Sequence, residues 1–78
     1  MNVVIRSIDK VIFTGVATEI TLPGLFGKLG IRPNHAPMSV VLAEGEINIK
    51  TTDTKEHFSV KNGIAQISGT AVDILLMP

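Results

Sequence analysis

Apolar and polar residues alternate one by one through much of this sequence, in short segments separated by turn-forming residues. The clearest segment is EINIK at residues 46–50, where Ile47 and Ile49 share one face and three polar side chains share the other. A period of two is that of a β-strand with one buried face. The sequence therefore predicts an all-β fold.

Similar segments cover nearly the whole chain and predict about nine or ten short strands. Between them we expect turns at Gly15, at Pro23-Gly24 and at Ser68-Gly69-Thr70, and a type I′ hairpin at Asn62-Gly63. The main strand segments predicted are residues 3–8, 10–14, 18–22, 28–31, 38–42, 45–50, 57–61, 65–67 and 72–76. Short strands at this spacing are typical of a two-sheet β-sandwich or flattened barrel.

Length and composition limit the class of protein. A chain of 78 residues forms a single domain, residues 1–78, and 45% hydrophobic against 18% charged residues is the balance of a packed globular domain. Seven basic and seven acidic side chains give no net charge, which argues against nucleic acid as a partner. The chain has no cysteine, so it offers neither a disulfide nor a zinc–thiolate site.

The sequence gives little support for a catalytic function. His35 could act as a base, but no nucleophile signature accompanies it, and His57 lies on the predicted solvent face of a strand. The carboxylates Glu44, Glu46 and Asp53 lack the spacing of zinc or calcium ligands. We therefore predict no catalytic residue and no metal site.

Three glycines recur at every third position in residues 24–30 and could suggest a phosphate-binding loop. No helix is predicted after Gly30, and no lysine-serine or lysine-threonine pair closes the motif. We interpret these glycines as turn residues and expect no cofactor or small-molecule substrate.

A set of apolar residues lies within the loop-rich stretch between Pro23 and Pro37 and just beyond it. One small core need not bury all of them, and contiguous exposed apolar surface usually marks a protein partner. The set favours an interface over a catalytic site, and its members are Leu25, Phe26, Leu29, Ile31 and Met38.

The run LPGLFGKLGIRPNHAP, from Leu22 to Pro37, resembles the signature of the ATP synthase epsilon family, without a gap. Four further elements follow in the order of that family, so the resemblance covers almost the whole chain. They are Phe13-Thr14-Gly15, residues 42–45, Asn62-Gly63 and the final segment VDILL at residues 72–76.

The resemblance implies a β-sandwich in the central stalk of an F-type ATP synthase, a rotor part that couples proton flow to ATP synthesis and is not itself an enzyme. It implies contact with the gamma subunit through Pro33, Asn34, His35, Ala36, Pro37 and Met38. It implies contact with the ring of c subunits through Phe26, Gly27 and Lys28. A free-standing β-sandwich adaptor that uses the same apolar loop for another partner is the alternative.

The sequence departs from the family in two respects. Many relatives carry an acidic residue where this chain has Lys28, which reverses the charge offered to the c-ring. The C-terminal helical hairpin usual in the family has no counterpart after Pro78. Either the subunit is naturally short or the sequence is one domain of a longer chain. The implied location is the cytoplasmic face of a bacterial inner membrane, held there through the complex, with an organellar energy-coupling membrane as the alternative.

Overall fold

Nine β-strands and no helix make up the chain, as a computed structural model that describes residues 1–78 shows. The strands are β1 (Asn2–Arg6), β2 (Val11–Val16), β3 (Glu19–Gly24), β4 (Gly27–Ile31), β5 (His35–Leu42), β6 (Gly45–Lys50), β7 (Lys55–Val60), β8 (Asn62–Gly69) and β9 (Ala71–Met77). The predicted all-β fold and strand number are confirmed. The structure has no helix of the length and hydrophobicity needed to cross a membrane.

All nine strands belong to one curled sheet with the order β2-β1-β9-β8-β5-β3-β6-β7, and β4 pairs with β3. The connection between β5 and β3 is a single paired position, Gly24 with Leu42. The sheet therefore divides there into two halves, β2-β1-β9-β8-β5 and β4-β3-β6-β7. Both halves contribute to one core, as in the predicted β-sandwich.

The core is a single cluster of 15 buried apolar residues, and no polar or charged residue is buried. Every strand except β2 supplies it, mostly from alternate positions, which is why Ile47 and Ile49 are buried while Glu46 and Lys50 are exposed. Burying one such side chain stabilises the fold by about 1.5–3 kcal/mol. The cluster comprises Val3, Ile5, Ala17, Ile20, Leu22, Ile31, Val40, Leu42, Ile47, Ile49, Val60, Ala65, Ile67, Val72 and Ile74.

An aromatic contact connects the two halves at the side where their edge strands lie. Phe13 of β2 and Phe58 of β7 have ring centroids 5.3 Å apart at an angle of 55°, and both pack against the core. Tilted rings at this separation attract each other beyond the area they bury. The two rings therefore join the edge strands β2 and β7 on this side of the fold.

The turn predicted at Pro23-Gly24 lies at Leu25-Phe26 instead, because Pro23 and Gly24 are paired with β4. Two other predicted turns are wrong, and in both cases the glycine serves close packing. Gly15 lies within β2 opposite Val3, and a Cβ there would be 2.9 Å from the Phe13 ring. Gly63 lies within β8 opposite Leu76, where a Cβ would collide with the carbonyl oxygen of Leu75. Asn62-Gly63 is therefore no hairpin, since neither residue has positive φ and β7 does not pair with β8.

The strand predicted from Met38 begins three residues earlier, because His35 to Pro37 extend β5. His35 lies opposite Gly69 and Met38 opposite Ile67, so β5 has one residue more than β8 over this stretch. Such a bulge accommodates Pro37, which has no N–H to donate to the ladder. The first predicted strand is shorter than expected and ends at Arg6.

Candidate protein-binding surface

The β3–β4 hairpin ends in an exposed apolar tip. Leu25 and Phe26 form the reversal between the paired residues Gly24 and Gly27. Gly27 has a φ of 130°, a conformation that glycine adopts far more readily than other residues. Phe26 is fully exposed and Leu25 is 55% exposed. Two large apolar side chains thus project from the fold without any intramolecular cover for Phe26.

Backbone hydrogen bonds hold this tip against β5. The N–H of Leu25 donates to the carbonyl oxygen of Val41 at 2.9 Å, and the N–H of Ala43 donates to that of Pro23 at 2.8 Å. Beyond this junction β5 and the hairpin separate, and an apolar groove of about 420 Å³ lies between them. Its lining comes from residues 24–29 of the hairpin and residues 38–41 of β5.

A tight turn connects β4 to β5 and contains the first half of the predicted gamma-binding segment, Pro33 to His35. The N–H of His35 donates to the carbonyl oxygen of Arg32 at 3.2 Å, with Pro33 second in the turn and Asn34, at a φ of 66°, third. Proline followed by a residue of positive φ is typical of a type II turn. Asn34 also donates its N–H to the carbonyl oxygen of Gly69 at 3.0 Å, which ties this turn to the end of β8.

His35 is half-buried, and its Nδ1 lies 2.8 Å from the carbonyl oxygen of Ala36. A carbonyl can only accept, so Nδ1 carries a hydrogen in this contact. No hydroxyl or carboxylate is bonded to this ring. The arrangement makes His35 a shaping residue at the start of β5 and gives no base–nucleophile pair.

The structure brings the two predicted interface segments together only in part. Met38, 38% exposed, lines the same groove as Phe26 to Lys28. Pro33, Asn34 and His35 lie toward the other end of β5. Val41 follows His35 by six positions along the extended strand, which is about 20 Å. The molecule therefore has two exposed surfaces at opposite ends of β5, and Met38 lies between them.

A mainly apolar row of side chains on the outer face of one half-sheet was missed by the sequence interpretation: Val41, Ile64 and Val11 are exposed and Leu75 is half-buried. Val41 of β5 is paired with Ile64 of β8, and Ile64 with Leu75 of β9. The row continues through Arg6 of β1 to Val11 of β2. We call Val41, Ile64, Leu75, Arg6 and Val11 the outer row. Five strands spaced by ~4.8 Å make it about 19 Å long.

A signal for the outer row was present in the sequence. Val40-Val41-Leu42 and Ile74-Leu75-Leu76 are continuous apolar runs, and such runs are typical of strands covered on both faces. Only one face of this half-sheet is covered by the core. The groove and the part of the outer row from Val41 to Leu75 share Val41, so they form one continuous apolar surface. The charged Arg6 separates Val11 from it.

The outer face of the other half-sheet is polar and offers no comparable surface. Nδ1 of His57 is bonded to Oδ1 of Asn48 and lies 3.6 Å from Oε1 of Glu46. Nε of Arg32 lies 3.3 Å from Oε2 of Glu19. These groups are exposed or half-buried, and no group of three or more His, Cys, Asp or Glu residues is arranged to hold a metal ion.

Comparison with known proteins gives relatives along nearly the full chain. Residues 1–77 match the family model of the ATP synthase delta/epsilon chain β-sandwich domain. The ATP synthase epsilon chain of Helicobacter acinonychis is 38% identical over 64 residues, which are 82% of this chain and 52% of that one. The epsilon chain of Leptospira borgpetersenii is 32% identical over 75 residues, 96% of this chain and 59% of that one. The chain spans about half the length of these curated relatives.

Solved structures share the fold. A chain in the cryo-EM structure of the Euglena gracilis mitochondrial ATP synthase (OSCP/F1/c-ring) superimposes with a TM-score of 0.88 at 21% identity, over 95% of this chain and 48% of that one. A chain in the Tetrahymena thermophila mitochondrial ATP synthase central stalk/c-ring structure gives 0.83 at 19% identity, over 100% and 63%. By its sequence match and its nine-stranded fold, this chain belongs to the ATP synthase delta/epsilon chain β-sandwich family.

Proposed function

We propose that this chain is a non-catalytic rotor subunit of an F-type ATP synthase, which links the gamma subunit to the c-ring in the central stalk. The curated relatives carry the name ATP synthase epsilon chain, and the fold is that of chains in two ATP synthase structures. Its task is mechanical. Rotation of the c-ring, driven by proton flow, is passed to gamma, and ATP is made at sites on other subunits.

The observation that carries this proposal is the continuous apolar surface on one side of the fold. Contiguous exposed apolar surface on a small domain favours a protein partner. Phe26, at the hairpin tip, and the adjoining Gly27 and Lys28 are proposed to contact the c-ring. The turn and strand from Pro33 to Met38, extended by the outer row, are proposed to contact gamma. The turn at Pro33 and the hairpin tip lie about 20 Å apart along β5, so they can contact different partners, and the outer row begins beside the tip at Val41.

A hydrophobic core shared by both halves of the sheet suits a subunit that transmits torque. A single core joins the two halves, and backbone hydrogen bonds from Leu25 and Ala43 fix the hairpin to β5. A load applied at the tip therefore passes through paired strands. We place the subunit on the cytoplasmic face of a bacterial inner membrane, as a peripheral protein held there by its partners.

Capture by the partners tests this proposal. Tagged chain, mixed with gamma and detergent-solubilised c-ring from the same organism, is expected to retain both. Val41→Lys is expected to weaken gamma retention on the order of tenfold or more, because it places a charge in an apolar contact. Val16→Lys is the matched control, since Val16 is 66% exposed and lies outside the outer row.

Loss of retention in both variants would point to a general effect of the added charge. Equal retention of gamma by the parent chain and Val41→Lys would remove the outer row from the interface. Retention of neither gamma nor c-ring by the parent chain would overturn the proposed function.

A further inference from the structure

The hairpin tip carries one charge, and that charge has no partner within the chain. Lys28 is exposed, two residues after Phe26, and it is the only charged residue among those that line the groove. The ion pairs of the fold are Arg6–Asp73, Arg32–Glu19 and His57–Glu46. Lys28 takes part in none of them. Its ammonium group is thus available to a partner.

Acidic side chains flank only one side of Lys28. Glu44 and Glu46 line a separate shallow recess that Lys28 also borders, and neither carboxylate lies within 4.0 Å of its ammonium group. On the groove side, the neighbours of Lys28 are Leu25, Phe26, Leu29 and Met38, together with other uncharged residues. A partner that covers Phe26 from the groove side meets apolar side chains and a single cation.

A partner that covers this tip must offer a hydrogen-bond acceptor to the ammonium group of Lys28. Burying an unpaired ammonium group is costly, whereas a carboxylate opposite it restores a charge-assisted hydrogen bond. A basic partner would meet Lys28 as a like charge and lose affinity. The tip is held by backbone hydrogen bonds, so it loses little conformational entropy on binding.

We propose that the hairpin tip binds a surface with an apolar recess for Phe26 and an Asp or Glu side chain opposite Lys28. This inference rests on the proposed function: the surface is then the loop of the c-ring that faces the central stalk, and that loop carries a carboxylate. Apolar contact supplies the area of the interface, and the ion pair sets its register.

The test uses the assembled rotor of gamma, this chain and the c-ring of the same organism. Lys28→Glu is expected to weaken association with the ring on the order of tenfold or more, because two carboxylates then face each other. Lys28→Arg keeps the charge and is expected to bind like the parent. Replacing the acidic loop residue of the ring by Lys is expected to restore binding to Lys28→Glu. Thermal melts of the three chains are expected to coincide, because Lys28 is exposed.

Phe26→Ser separates this inference from the proposed function. If Phe26→Ser binds the ring like the parent, the hairpin is not the ring interface and the placement under the proposed function fails. If Phe26→Ser weakens binding while Lys28→Glu binds equally or more tightly, the hairpin is the interface but the carboxylate is absent. The second result overturns only the inference about the partner's charge.

Discussion

Replacing Gly63 by alanine tests the close approach of β8 and β9. The added methyl would collide with the carbonyl oxygen of Leu75 and lie 3.4 Å from Cα of Leu76. Both are backbone atoms within paired strands, so they cannot move aside as a flexible side chain can. β8 is also paired to β5, so a shift of β8 disturbs the ladders on both of its sides.

The expected loss follows from overpacking. Forcing a methyl group into a filled site costs about 1–3 kcal/mol, and the upper part of that range applies where the neighbour is backbone. A domain of this size has an unfolding free energy of roughly 4–12 kcal/mol. Since 1 kcal/mol shifts the melting temperature of such a domain by about 4–8 °C, Gly63→Ala is expected to melt roughly 10–20 °C lower.

Gly30→Ala is the matched control. Gly30 also lies in a paired strand and has no positive φ, but a Cβ there would have nothing within 4 Å. The substitution is expected to be neutral or to stabilise by about 0.4–1 kcal/mol, because it restricts the unfolded chain. Both variants are measured by thermal unfolding followed by far-ultraviolet circular dichroism. Coincident melts of Gly63→Ala and Gly30→Ala would refute the packing account of β8 and β9.

Three further substitutions probe the core and the proposed gamma contact. Ile47→Ala removes a fully buried side chain and is expected to cost about 2–5 kcal/mol in urea unfolding; a cost under ~1 kcal/mol would contradict the core assignment. His35→Ala is expected to weaken gamma capture with an unchanged urea midpoint, and parental capture would remove the turn from the interface. Met38→Asp is expected to weaken gamma capture and also to lower the free energy of unfolding by about 1–3 kcal/mol, because Met38 is paired with buried Ile67. Full capture of gamma at reduced stability would show that Met38 has a structural role only.

The strands themselves could be predicted from the sequence because period-two alternation reports directly on one-sided burial. Residues 45–50 were predicted with the bounds that the structure gives. The short strand β4 was also predicted, on the argument that a small domain does not tolerate a long unstructured loop.

Glycine positions could not be interpreted as reliably. A glycine next to asparagine has the same local signature whether it forms a hairpin or allows two strands to approach closely. Gly63 allows two strands to approach closely. The backbone atoms that leave no room for a Cβ there belong to Leu75 and Leu76, on another strand. Gly15 likewise leaves room for the Phe13 ring. Such tertiary contacts are not encoded in local composition.

The sequence predicted the candidate surface only in part. Of the apolar residues expected to face a partner, Leu25, Phe26 and Met38 are exposed, whereas Ile31 is buried in the core and Leu29 packs against it. Phe26 and Met38 were selected because apolar side chains in a loop-rich stretch need cover. Their shared groove depends on the way β5 separates from the hairpin after a single paired position, Gly24 with Leu42. The outer row depends on the register of five strands, and only the folded sheet brings Val41 and Val11 into one line.

Site-specific cross-linking in the native complex tests the central claim most directly. The chain has no cysteine, so a single cysteine at Phe26 or at Pro33 is a unique attachment point for a photo-activated cross-linker. Both positions are exposed, and the side chain removed at each is not part of the core. In energy-coupling membranes of the source organism, the probe at Phe26 is expected to give an adduct with a c subunit, and the probe at Pro33 an adduct with gamma. Adducts from both positions that contain neither gamma nor a c subunit would contradict the assignment of this chain to the rotor.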